Sequence, residues 1–91
     1  MRVKFLGHLK NVFDGGLMFL SRVGGKKLRD VLLMVYDLLG GASNEIFDGS
    51  PEKIRPSILL LVNDVSYDIL GLDYIVNEDD ELVFIPAVHG G

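Results

Sequence analysis

Cysteine is absent from the 91 residues, and histidine occurs only as His8 and His89. The first absence removes disulfides, thiolate metal ligation and a cysteine nucleophile, so any sulfur or thioester chemistry falls to a partner or to the end of the chain. The second leaves little from which to build a proton-transfer site, and neither histidine has a recognisable partner in the sequence. Lysine and arginine are absent after Arg55: all nine lie in the first 55 residues beside six acids, whereas seven acids and no base follow from Pro56 onward. A purely acidic second part disfavours nucleic acid as a direct ligand and predicts a partner with a basic docking surface. Long apolar runs are missing too. A run such as Ile58 to Val62 is far too short to span a bilayer, and Met1-Arg2-Val3-Lys4-Phe5 places charges where a signal peptide is apolar. The expectation is a cytoplasmic protein with no membrane segment. The acidic run Asn77-Glu78-Asp79-Asp80-Glu81 lacks the spaced Asp-x-Asp-x-Asp-Gly pattern of calcium loops, so it predicts an acidic turn, with no metal and no catalytic residue of the chain's own.

What is present is a hydrophobic fraction of 48% with no break in composition, which fits one small domain. A chain of this size buries somewhat over ~60% of its unfolded surface, enough for a modest single core. Met1 to Leu6 alternates as a half-buried strand, with Met1, Val3 and Phe5 on one face. Asp14-Gly15-Gly16 signals a turn before a second strand over Leu17 to Val23. Leu28, Val31, Leu32, Val35 and Leu39 recur at helical spacing, predicting a helix from about Lys27 to Leu39 that stops at Gly40-Gly41 and has no good N-terminal cap. Leu33, Met34 and Tyr36 fall outside that stripe, where a wider core or a partner could use them. The segment 42–57 reads as an irregular surface connection. Ile58 to Val62 is unbroken aliphatic and predicts a central strand covered on both faces. Asn63-Asp64 turns the chain into a short strand over Val65 to Leu70, and Ile75 to Glu81 leads through the acidic turn into the last strand.

The last ten residues organise the rest. Leu82 to Ile85 suit a buried strand, and Pro86 removes a backbone donor and closes the ladder, which predicts that Ala87 to Gly91 run unpaired beyond the sheet. His89-Gly90-Gly91 ends the sequence. Glycines without Cβ atoms can pass a channel too narrow for side chains and leave a terminal carboxylate open to attack from any direction. Glycine pairs also occur at Gly15, Gly24 and Gly40, so the pair alone is weak; the strand, the proline and the short tail together carry the reading. The expected division is a domain over 1–86 and a flexible diglycine tail over 87–91. The order strand, strand, helix, strand, short strand, strand fits an α+β, β-grasp arrangement: a mixed sheet of four to five strands packed on one main helix, with the first and last strands as parallel neighbours.

Three stretches resemble a known family. Arg55-Pro56-Ser57-Ile58-Leu59-Leu60-Leu61-Val62-Asn63-Asp64, Leu70-Gly71-Leu72-Asp73-Tyr74, and Asp79-Asp80-Glu81-Leu82-Val83-Phe84-Ile85 followed by His89-Gly90-Gly91 closely resemble the ubiquitin-related modifier that doubles as a sulfur carrier. They are more distantly similar to the small subunit of molybdopterin synthase and the thiamine-pathway sulfur carrier. Pro86-Ala87-Val88 is similar to the molybdopterin and archaeal members, His89 to the modifier, and Leu70-Gly71-Leu72 is shorter than the corresponding loop of many relatives. The resemblance implies that a separate ubiquitin-activating-like enzyme adenylates the Gly91 carboxylate with ATP, and that a sulfurtransferase then turns it into a thiocarboxylate. It implies no bound cofactor and no protease step to expose the diglycine. Gly90 and His89 would form the part of the tail that passes into the enzyme, and Pro86 its point of exit. Leu33, Met34, Asp79, Asp80 and Phe84 are candidate docking residues. The sulfur would serve tRNA thiolation or molybdopterin synthesis. Two alternatives remain: a modifier acting mainly by isopeptide conjugation to target lysines, and a non-catalytic β-grasp adaptor.

Overall fold

A computed structural model describes residues 1–87. Strand β1 (Arg2–Phe5) buries Val3 and Phe5 completely, as its alternation predicts. Two short 3₁₀ segments, Gly7–Asn11 and Asp14–Gly16, carry the chain to β2 (Leu17–Phe19), antiparallel to β1 with Val3 opposite Met18. The strand expected to reach Val23 stops at Phe19. Arg22 turns with φ +60°, and the backbone N–H groups of Arg22, Val23 and Gly24 donate at 2.8–2.9 Å to the Glu78 carboxylate, so they serve a clamp between loops and not a ladder.

Helix α1 (Leu28–Leu39) buries the five stripe residues and no others. No side chain caps its start; instead the Leu28 and Arg29 N–H groups donate to the carbonyls of Tyr74 and Leu72, at 2.8 and 3.0 Å. A remote turn thus satisfies the orphan amides that the local sequence leaves open.

The connection 40–57 is not confined to the surface. After a 3₁₀ segment over Gly40–Glu45, Ile46 and Phe47 are fully buried. Phe47 meets Tyr36 edge-on at 5.5 Å and Phe84 at 6.1 Å, and Phe84 stacks on Phe5 at 5.3 Å. A backbone bridge between Phe47 and Ile54 holds this plug in place.

Strand β3 (Ile58–Val62) turns through Asn63 and Asp64, both at positive φ, into β4 (Val65–Ser66). The strand expected over Val65 to Leu70 ends after two residues, and α2 (Tyr67–Leu70) forms one helical turn. Tyr67 and Leu70 pack on the core while Ile69 is left exposed, so burial follows a spacing of three and not the period of two that Val65, Tyr67 and Ile69 suggest. Strand β5 (Glu81–Pro86) completes a five-stranded sheet in the order β2-β1-β5-β3-β4. It pairs in parallel with β1, Phe5 opposite Phe84, and antiparallel with β3, Leu60 opposite Phe84.

The centre of the sheet is therefore β5, and β3 is covered on one face only. Ile58, Leu60 and Val62 face the core, whereas Leu59 is 49% exposed and Leu61 is half-buried. A single helix can cover one face of a sheet; the unbroken aliphatic run marks one core face and one outer apolar face. Among the described residues no helix is long and apolar enough to cross a membrane.

Candidate functional site

Gly91, Gly90 and His89 lie outside the described residues, so the site is built from the exit that leads to them. Backbone polar groups alternate sides along a strand. The Phe84 carbonyl accepts from the Leu6 N–H at 3.0 Å on the β1 side, and the Ala87 N–H donates to the Ser57 carbonyl at 2.7 Å on the β3 side. Pro86 therefore turns its nitrogen to the β1 side, where β1 has ended at Phe5 and the chain has turned away at Gly7. No ladder bond is lost, which is why a proline can close the central strand. The expectation that Pro86 leaves everything after it unpaired is corrected at Ala87: pairing runs one residue further on the β3 side.

The acidic stretch before β5 is mostly structural. Glu78 grips three backbone amides; the Gly24 N–H, then those of Val23 and Arg22, hold its carboxyl below the ordinary value. Asp80 is 5% exposed. Burial alone would push its carboxyl up, but donors outweigh it and the shift is downward: the Asn77 N–H at 2.9 Å, the Asn63 amide at 2.7 Å and the Tyr74 hydroxyl at 2.9 Å. Asp80 is thus the hub that joins the acidic loop to the β3–β4 turn, its carboxylate turned to internal donors and not to the surface.

The five candidate docking residues do not form one surface. Phe84 is fully buried among Phe5 and Phe47, so it, like Asp80, leaves the docking set. Met34 is half-buried against the core, Leu33 is 45% exposed on α1, and Asp79 is exposed in the acidic turn.

Exposed Gly7 and Ser57 flank the exit itself, and the outer sheet face beside it offers Leu59 and, in part, Ile85, while Val83 on the same face is buried. Register sets Leu17, Lys4, Val83 and Leu61 in one row across four strands, with Ile85 opposite Leu59 in the row towards the exit. Arg2 and Lys4 share Glu81 at 3.8 and 3.5 Å, so this face carries two cations and one acid. Its sign is opposite to the acidic docking patch that the charge distribution along the chain predicts. Alternation against Leu60 and Phe84 was the available signal for Leu59, Leu61, Val83 and Ile85, hidden because an all-aliphatic run reads as buried throughout. Among the described residues no group of three or more His, Cys, Asp or Glu is arranged to hold a metal ion.

A mixed sheet with parallel first and last strands, one helix packed across it and a chain end leaving its central strand defines a ubiquitin-like β-grasp protein. The chain belongs to the Urm1 family (ubiquitin related modifier), whose sequence model matches residues 1–91. Ubiquitin-related modifier 1 of Mus musculus is 31% identical over 96 residues, covering 100% of this chain and 94% of the mouse protein. The small archaeal modifier protein 1 (SAMP1) of Methanosarcina acetivorans superposes with a TM-score of 0.78 at 29% identity, covering 99% of this chain and 94% of SAMP1. CysO in the Amycolatopsis orientalis BexX/CysO complex shares the fold, with a TM-score of 0.74 at 24% identity over 99% of this chain and 98% of the other.

Proposed function

We propose that this protein is a sulfur carrier whose Gly91 carboxylate is activated by a separate enzyme. The observation that carries the proposal is the position of β5: the central strand of the sheet runs into Ala87, so a rigid body holds the base of the segment whose sequence is Val88-His89-Gly90-Gly91. A carboxylate is a poor electrophile, because its charge is delocalised and its oxygen leaves badly. Attack of a Gly91 oxygen on the α-phosphorus of ATP expels pyrophosphate and yields an acyl adenylate, whose AMP is a good leaving group. The outer sulfur of a sulfurtransferase persulfide then displaces AMP at the carbonyl carbon to give an acyl disulfide. A thiol attacks the inner sulfur, forming a disulfide and releasing Gly91 as a thiocarboxylate, which passes sulfur to tRNA or to a molybdopterin precursor. None of these steps needs a side chain of this protein. Gly90 and His89 supply the stretch that enters the enzyme, with Gly90 and Gly91 its narrow end, and Pro86 sets where it starts.

The activating enzyme docks on the outer face in this reading, because Leu59 and Ile85 are open apolar residues near the exit, and Lys4 one row back with Arg2 at the far end of the same face favours an acidic region on the partner. Support for a second protein comes from CysO, a β-grasp neighbour seen in a complex with BexX. Membership in a modifier family favours a second use of the same activated terminus, attack by a target lysine to form an isopeptide.

The test is the mass of the C-terminal peptide from protein isolated in its own host under non-oxidising conditions. Sulfur in place of one Gly91 oxygen is the expected result, and deletion of Gly91 abolishes it. A wholly unmodified carboxylate, with no branched Gly-Gly peptides on lysines of larger species, refutes both carrier and conjugate and leaves an adaptor.

A further inference from the structure

We infer that Gly7 is a positioning residue for the reactive tail, acting through the ring of Pro86. Gly7 sits where β1 leaves the sheet, with φ +57°, and a Cβ placed on it would lie 2.9 Å from Pro86 Cγ and 3.5 Å from Cδ. A contact of that length forces movement, and the atom it meets belongs to a rigid ring. The ring cannot swing aside as a long side chain would; beyond a change of pucker, the contact is relieved by movement of the backbone at Gly7 or at the end of β5.

The exit is held on both sides at this point. On one side the Pro86 ring lies against the bare face of Gly7; on the other the Ala87 N–H donates to the Ser57 carbonyl at 2.7 Å. Pushing the ring away from Gly7 lengthens or breaks that second tie. Ala87 is the last described residue before the tail, so a shift at Pro86 moves the point from which the tail departs. Reacting groups tolerate little of this: a misplacement of about 1 Å can lower a rate by up to ~100-fold. Gly7 touches neither ATP nor the carboxylate in this scheme; its part is to leave room.

The enzymatic half of this inference rests on the carrier reading, and the geometric half does not. The experiment compares Gly7→Ala, Pro86→Ala, the double variant, and Gly49→Ala as a control. Gly49 has φ +76° with nothing within 4 Å of an added Cβ, so its substitution reproduces the backbone strain without the contact. Two quantities are read: ATP–pyrophosphate exchange by the activating enzyme purified from the same host, and hydrogen-exchange protection of the Ala87 amide. Gly7→Ala is expected to lower kcat by about ten- to a hundredfold, to leave KM unchanged because the outer face is intact, and to remove the Ala87 protection. Pro86→Ala in the same chain restores both towards the level of Pro86→Ala alone, and Gly49→Ala changes neither. A Gly7→Ala chain that behaves like Gly49→Ala overturns the inference, as does a loss that Pro86→Ala does not relieve. If the wild-type chain supports no exchange, the carrier reading fails, and the Ala87 amide still decides whether Gly7 holds the exit.

Discussion

Replacing Phe47 with alanine tests whether the connection between α1 and β3 is part of the core. Its side chain is fully buried and touches two other aromatic rings, Tyr36 from the helix and Phe84 from the central strand. Truncating a buried phenylalanine costs about 3–5 kcal/mol, of which lost ring–ring geometry supplies roughly 0.5–1.5 kcal/mol per pair. A domain of this size has a total stability of about 5–15 kcal/mol, so the variant stands at or near the edge of folding. At roughly 4–8 °C per kcal/mol for a chain of 60–100 residues, the melting temperature falls by on the order of 15–30 °C. Phe47→Leu, which keeps most of the volume but loses both ring–ring contacts, costs about 1–3 kcal/mol. Urea titration followed by far-ultraviolet circular dichroism measures both, with the slope of the transition checking that the unfolded state is unchanged. A loss for Phe47→Ala within about 0.5 kcal/mol of wild type is what a surface substitution gives, and it would show that residues 46–47 do not plug the core.

Two further outcomes are expected. Leu59→Asp raises the KM of adenylation about tenfold or more while the melting temperature stays within a few degrees, because Leu59 is half exposed on the face proposed to dock; Leu33→Asp on α1 leaves KM unchanged, and the opposite pattern would move the docking surface to the helix. For Asp80, donors outweigh burial and the folded carboxyl titrates below its ordinary value, so its contribution is complete above the unfolded pKa of about 3.9 and is lost as pH falls through the folded value. The melting-temperature gap between wild type and Asp80→Asn is therefore expected to be constant above about pH 5 and to close towards pH 2; a gap that widens on acidification would reverse the sign of the argument.

Periodicity was enough to locate β1 and α1, because each has its core residues at the spacing its own geometry requires, whereas β5 was marked by an apolar run closed by Pro86. Val3 and Phe5 alternate, and Leu28, Val31, Leu32, Val35 and Leu39 form one stripe. Where burial depends on a distant segment, the local pattern says less. Ile46 and Phe47 sit in a polar, glycine-containing stretch and are buried only because Tyr36 and Phe84 are already in place to receive them. The start of α1 looked uncapped since its partners, the Tyr74 and Leu72 carbonyls, are more than forty positions away. The diglycine end was readable as a chemical motif, but the surface beside it was not. Charge counted along the chain pointed to an acidic face, whereas parallel pairing of β1 with β5 brings Arg2 and Lys4 from the other end of the sequence to Glu81.

The middle strand of the sheet is also the last of its five strands in chain order. Before residues 81–86 leave the ribosome, β1 can pair only with β2, and β3 only with β4; two-stranded ribbons of this kind are marginal in water. Parallel pairing of Arg2 with Glu81 joins positions separated by almost the whole chain, a contact that local folding cannot anticipate. A nascent or truncated chain therefore lacks the one strand that would unite its two hairpins, and it stays open to proteolysis. The sheet can close only in molecules whose synthesis has passed residue 86, so the strand that carries the exit is also the one that joins the two hairpins.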